Sequence, residues 1–261
     1  MYKLLLVIIT CIILFYLKKK YDNRIFTKHN IVKYNNIINS HTLEYFKDYN
    51  FKSGTLGNVI TDIHEYGVNN LKVVNKYKQK LSDFMDSLND DRVIKQAIVV
   101  LDDNDYFRDL LILIKKDLSK YYDVDDLHTF KLRISKNPWK YPAHFDCVDG
   151  NLLQLFNYRE VHTLKLKNLD DFNNLDKYDV SYIKRYDDTK TTILNPGDLV
   201  KLPTGLIHAV RGYGANYDST NYIKDVSIAL SFFNGGKCYQ CDDIFKTKFN
   251  YRVNELSYGY K

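Results

Sequence analysis

The hydrophobic period of this chain changes near residue 128, and no other feature limits its fold as much. Before that point, apolar residues recur every three or four positions. Val74, Tyr77, Leu81, Met85 and Leu88 predict an amphipathic helix within 71–88. Phe107, Leu110, Leu111, Ile114 and Leu118 predict a second, with Asn104 or Asp105 as its cap. After it, Phe130, Leu132 and Ile134 alternate with polar residues, as do Leu164 and Leu166. Short apolar segments at 152–156, 199–202, 206–210 and 226–233 also read as strands, and 168–190 reads as an inserted loop with one short strand near 180–186. Helices followed by many short strands predict an α+β chain closed by a β-sandwich or barrel. At 261 residues and 45% hydrophobic content the chain can bury a real core, which excludes a disordered tail and a polytopic membrane protein.

The net charge of +6 sits at one end. Residues 1–33 hold seven basic side chains against the single acid Asp22, and the remainder carries equal numbers of both signs. The basicity therefore argues for a local device, not for a polyanion-binding body. An uncharged, largely apolar run over 4–17 is followed by Lys18, Lys19 and Lys20, with no small-residue cleavage site. Roughly 17 residues suffice for a short spanning helix, so this segment reads as a single-pass anchor in preference to a signal peptide or a buried helix. The lysine collar then places the domain on the cytosolic side and draws it toward anionic headgroups. Cys11, Cys147 and the lone pair Cys238 and Cys241 suit a reducing compartment, and the single C-x-x-C reads as structural or incidental. The expected layout is an anchor with basic flank over 1–20 and a polar, Asn-rich tether over 21–40. A helical part over 41–127, a β-barrel over 128–236 and a tail over 237–261 follow.

Two segments carry chemistry. In Tyr141-Pro142-Ala143-His144-Phe145-Asp146, His144 and Asp146 are two apart, so on an extended chain both reach one side while Phe145 packs behind. In Asn195-Pro196-Gly197-Asp198 a turn opens a strand, Pro203 and Gly205 mark a further turn, and His208 begins the next strand. Two histidines and one carboxylate match the facial triad that holds non-haem Fe(II) and leaves coordination positions open. His162 is a weaker candidate for a ligand in a different arrangement, and Ser227 and Ser231 lie on the last strand with no role assigned by pattern alone.

This order of motifs resembles the JmjC-type, cupin-like Fe(II)/2-oxoglutarate-dependent dioxygenases. The likeness runs from about Thr129 to Asn234: the His-x-Asp pair, Gln154 ten residues beyond the first histidine, the Pro-Gly-Asp turn, and the distal histidine twelve residues after its proline. It implies a double-stranded β-helix (jelly-roll, cupin-like) barrel, with Fe(II) on His144, Asp146 and His208 and 2-oxoglutarate as co-substrate. It further implies that Arg159 holds the distal carboxylate of 2-oxoglutarate where the family usually has lysine. Tyr141 stands where the family has threonine or serine, Asn157 where it has glycine, and Asn151 is displaced by one residue from the family's pocket asparagine. The activity implied is hydroxylation, or demethylation by way of hydroxylation, of a macromolecule. Because the body is neutral, a protein substrate ranks above RNA. The competing expectation is a membrane-tethered, cupin-like scaffold without catalysis.

Overall fold

The computed structural model describes residues 7–17, 31–47, 54–66, 73–88, 94–102, 104–136, 140–144, 146, 148–164, 189–203, 206–213 and 226–234. Its helices are α1 (7–17), α2 (Ser40–Lys47), α3 (Gly54–Gly57), α4 (Leu81–Ser87) and α5 (Arg108–Leu118). Its first strands are β1 (Val32–Tyr34), β2 (Ile60–Tyr66), β3 (Val73–Lys80) and β4 (Ile94–Val100). The barrel strands are β5 (Leu127–Lys136), β6 (Lys140–His144), β7 (Asp149–Phe156), β8 (Tyr158–Leu164), β9 (Thr189–Leu194), β10 (Leu199–Leu202), β11 (Ile207–Tyr213) and β12 (Val226–Asn234).

Two antiparallel sheets result. The larger runs β1-β10-β7-β12-β5-β4-β2-β3 and the smaller β6-β11-β8-β9. From β5 onward the chain crosses between the sheets repeatedly, the winding of a jelly roll. Leu152, Val200 and Ala229 from the larger sheet meet Val161, Leu194 and Val210 from the smaller in one apolar cluster, so the two sheets face each other. The other face of the larger sheet carries Leu132, Ile134, Leu153 and Leu230 into a separate core with Phe84, Leu110 and Ile114 of the helices. Each of these buried leucines is worth roughly 2–5 kcal/mol against alanine.

The expected second helix stands as α5, with Asn104 capping the 3-10 turn before it by accepting from the Tyr106 N–H. The first does not. The segment 71–88 divides at Lys80 into β3 and α4. Only Leu81, Phe84 and Met85 form a buried helical side, while Val74 lies exposed on a strand. Spacings of three and four fit both halves by coincidence, and backbone pairing of β3 with the length of β2 decides between them. The part over 41–127 is accordingly mixed, since β2, β3 and β4 extend the larger sheet. The short strand expected near 180–186 and the tail over 237–261 lie outside the described residues. Among the described residues no helix is long and apolar enough to cross a membrane. α1 covers eleven residues, and its apolar side chains are exposed.

The expected tether is corrected at its C-terminal half. β1 pairs with β10, and Ile37 and Ile38 are core residues. Asp198 is the reason this segment is held. The Asn195–Asp198 turn places Gly197 at φ +91°, a conformation open to glycine after proline, and Asp198 N–H closes it onto the Asn195 carbonyl. The Asp198 carboxylate, 2% exposed, accepts from the backbone N–H groups of Asn36 and Asn195 and pairs with Lys33 at 2.8 Å. Burial pushes its pKa up, but Lys33 and the two N–H groups outweigh burial and hold it below the ordinary value. A lowered carboxylate pKa stabilises the fold at neutral pH, and that contribution fades as pH falls through the folded-state pKa. We predict that Asp198→Ala costs about 2 kcal/mol in urea unfolding at pH 7. The difference from wild type should shrink below about pH 4.

A candidate metal and co-substrate site inside the barrel

β6 and β11 are neighbours, and their register sets His144 directly opposite His208. The His144 side chain lies outside the described residues. His208 is 3% exposed, and its Nδ1 lies 2.9 Å from the Leu206 carbonyl oxygen. A carbonyl only accepts, so Nδ1 is the donor there, and Nε2 is the nitrogen turned toward Asp146. Nε2 stands 3.7 Å from Asp146 Oδ2, too far for a good hydrogen bond. Two ligand bonds of about 2.1 Å each, usual for imidazole and carboxylate on a divalent ion, span that gap. The separation therefore fits a metal ion shared by His208 and Asp146. Among the described residues themselves no group of three ligands converges.

Gly150 on β7 makes room for this carboxylate. A Cβ there would stand 3.1 Å from Asp146 Oδ2, closer than side chains ordinarily pack. Sequence reading passed over this glycine, because the requirement is a contact across the barrel and not a turn.

Deeper in the barrel, β8 points Arg159 inward. It is 1% exposed, and its Nη2 donates to Ser227 Oγ at 3.2 Å. Arg159 and Thr163 share one face of β8, and Thr163 pairs with His208 on β11, so about 13 Å of strand separates the arginine from the metal row. Burial, and then Arg133 nearby, pushes the Arg159 pKa down to about 9, which leaves it charged at neutral pH. Gln154 Nε2 donates to Ser227 Oγ and to the carbonyls of Phe156 and Asn157, fixing the β7–β8 turn. Asn157 adopts φ +59° there, which explains why asparagine replaces the family's glycine. Ser135 lies opposite Ser227, and Gln96 opposite Ser135. Ser135 Oγ, Gln96 Nε2 and Gln154 Oε1 are buried without a hydrogen-bond partner among the described residues. Buried polar atoms are rarely left so, and a buried cation beside them suits a polar, anionic ligand.

Tyr141 packs against the barrel cluster and meets Tyr66 edge-on at 5.8 Å between ring centroids. It thereby joins β6 to β2. Asn151 is not on the barrel-facing side of β7. It lies on the helix-facing side of β7 with Leu153 and Leu155, accepting from Tyr122 Oη and donating to the Phe232 carbonyl. His162 points to the outer face of the smaller sheet, where Glu160 and Thr191 engage its two nitrogens, which corrects its candidacy as a ligand. Arg133, whose Nε donates to Ser231 and Nη1 to Gln96, is the main site residue the sequence reading missed. Its alternation with Leu132 and Ile134 marked it only as polar, and the spacing does not tell which side of the strand faces the barrel interior.

Residues 129–226 match the family model of the JmjC domain. That match and the two-sheet winding agree on a JmjC-type, cupin-like domain over these residues. No curated protein matches the chain significantly. We predict that Gly150→Ala leaves the fold intact and weakens Fe(II) binding by about 10–100-fold, the usual cost of disturbing a ligand's support. Calorimetric metal titration beside a melting curve checks it.

Proposed function

We propose that the protein is an Fe(II)- and 2-oxoglutarate-dependent oxygenase that hydroxylates a macromolecular substrate; where the hydroxylated carbon is N-methyl, the N–CH₂OH product breaks its C–N bond to give N–H and formaldehyde. One observation carries this reading: a buried arginine with orphaned polar neighbours shares a barrel with the His208 imidazole and the Asp146 carboxylate that face each other. His144, Asp146 and His208 would hold Fe(II), and Arg159 with Ser227 would hold the distal carboxylate of 2-oxoglutarate. When bound, the pair supplies oxygen activation, with 2-oxoglutarate decarboxylated to succinate and CO₂ as one oxygen atom passes to the substrate. The chain's own contribution is positional. The Leu206 carbonyl orients the His208 ring, and Gly150 leaves the Asp146 carboxylate its place.

The domain is held at a membrane through residues 1–20 and faces the cytosol. The apolar run over 4–17, the exposed apolar side chains of α1 and the lysine collar support this.

Purified full-length protein in detergent should convert 2-oxoglutarate to succinate when Fe(II) is added, and His144→Ala should abolish turnover. Calorimetry showing that neither Fe(II) nor 2-oxoglutarate binds would sink the reading. Arg159→Met should retain Fe(II) and lose about 100-fold in 2-oxoglutarate affinity, the worth of a pair of charge-assisted hydrogen bonds. Its ligand-free melting temperature should equal or exceed that of wild type, since a buried cation beside another cation is replaced by a side chain that suits the interior. Residues 1–20 are tested by fractionation: the intact chain should stay with membranes through alkaline extraction, and the chain lacking them should be released.

A further inference from the structure

The body of the chain is neutral in sum but not in placement. Directly paired residues of an antiparallel sheet share a face, and the register of β3, β2, β4 and β5 can be read across on that rule. Lys76 lies opposite His64, Lys78 opposite Asp62 and Lys80 opposite Ile60. His64 then meets Gln96, and Asp62 meets Ile98. Gln96 meets Ser135, Ile98 meets Arg133 and Val100 meets Lys131. One face of this four-strand wing thus carries Lys76, Lys78, Lys80, Lys131 and Arg133. Asp62 is the one carboxylate on that face among the described residues. It is the same face that continues through Ser135 and Ser227 to Arg159 inside the barrel.

Lysines on an edge strand commonly serve to block edge-to-edge pairing. That role accounts for Lys76, Lys78 and Lys80 on the outer strand β3. It does not account for Lys131 and Arg133, which stand on the fourth strand in, about 14 Å across the sheet. Exposure falls along the same path. The β3 lysines are exposed, Lys131 and Arg133 are half-buried, and Arg159 is buried. Arg133 donates to two neutral groups, Ser231 and Gln96. Burial, then Lys76 and Arg133, lowers the His64 pKa to about 4, with Asp62 opposing, so this imidazole is neutral in a positive field.

From this placement we infer that the wing face of β3, β2, β4 and β5 is the substrate-docking surface, and that its occupant is a single strand of nucleic acid whose phosphates lie on these cations. The inference rests on the oxygenase reading for what happens to the bound strand, but not for the binding itself. The recess of Lys131 and Arg133 favours a linear polyanion over a planar layer of lipid headgroups, which would reach only the exposed edge. Alternate lysines along β3 are about 6.8 Å apart, and nucleic acid supplies a charge at every unit, where a peptide would need a run of acidic residues.

The test is fluorescence anisotropy of labelled oligouridylate with the full-length protein in detergent, without Fe(II) or 2-oxoglutarate, over a series of salt concentrations. Binding should weaken linearly in log–log form, with the slope falling by about 0.7 for each lysine removed in Lys76→Gln, Lys78→Gln and Lys80→Gln. These exposed positions leave the fold unchanged, which a melting curve verifies. Arg133→Gln should weaken binding beyond the triple variant. The inference is overturned by no binding at low salt, or by binding that all four substitutions leave unchanged, which would assign it to the N-terminal collar. Tighter binding to polyglutamate or to phosphatidylserine vesicles, lost on the same substitutions, would equally overturn it. None of these outcomes touches 2-oxoglutarate turnover, whose failure would instead remove the oxygenase reading and leave the docking surface standing.

Discussion

The larger sheet is covered on its two sides by different partners, and the rest of the molecule follows from that. Along β5, Leu132 and Ile134 enter the helix-facing core, while Arg133 and Ser135 point toward the barrel. Along β12, Ile228 and Leu230 go one way and Ser227 and Ser231 the other. A slip of one residue would set a guanidinium among the leucines of α5 and a leucine against Arg159. Burying an unpaired charge costs several kcal/mol, so the register of these strands is fixed by what their polar residues cannot tolerate. The barrel lining, and with it the candidate site, is the half of each strand that the apolar core excludes.

Alternation also explains what could be read from the sequence. Of the strands from 128 onward, β5 was legible by alternation and β7, β10, β11 and β12 as short apolar runs, while β9 was not foreseen; spacing alone made His144, Asp146 and His208 candidates. Asn151 shows the limit. Displaced by one residue from the family's asparagine, it falls on the opposite side of β7 and joins the helix layer. Gly150 holds the barrel-facing position instead, for a reason visible only across the barrel. The segment over 71–88 failed differently: its apolar spacing fitted a helix, and only long-range pairing with β2 made half of it a strand. The Pro-Gly-Asp turn was read as a strand opener. Its aspartate proves to secure β1 as well, a contact 162 residues apart in sequence.

Arg159 departs from the family's lysine, and its surroundings supply a reason. Burial and Arg133 together bring its pKa from 12.5 to about 9. A lysine starts lower, at roughly 10.4, and the same burial beside Arg133 would disfavour its charged form further. Lys131 lies only half-buried on the same face, and burial with Arg133 already lowers it. A guanidinium at residue 159 therefore suits a buried position beside Arg133 better than an ammonium would.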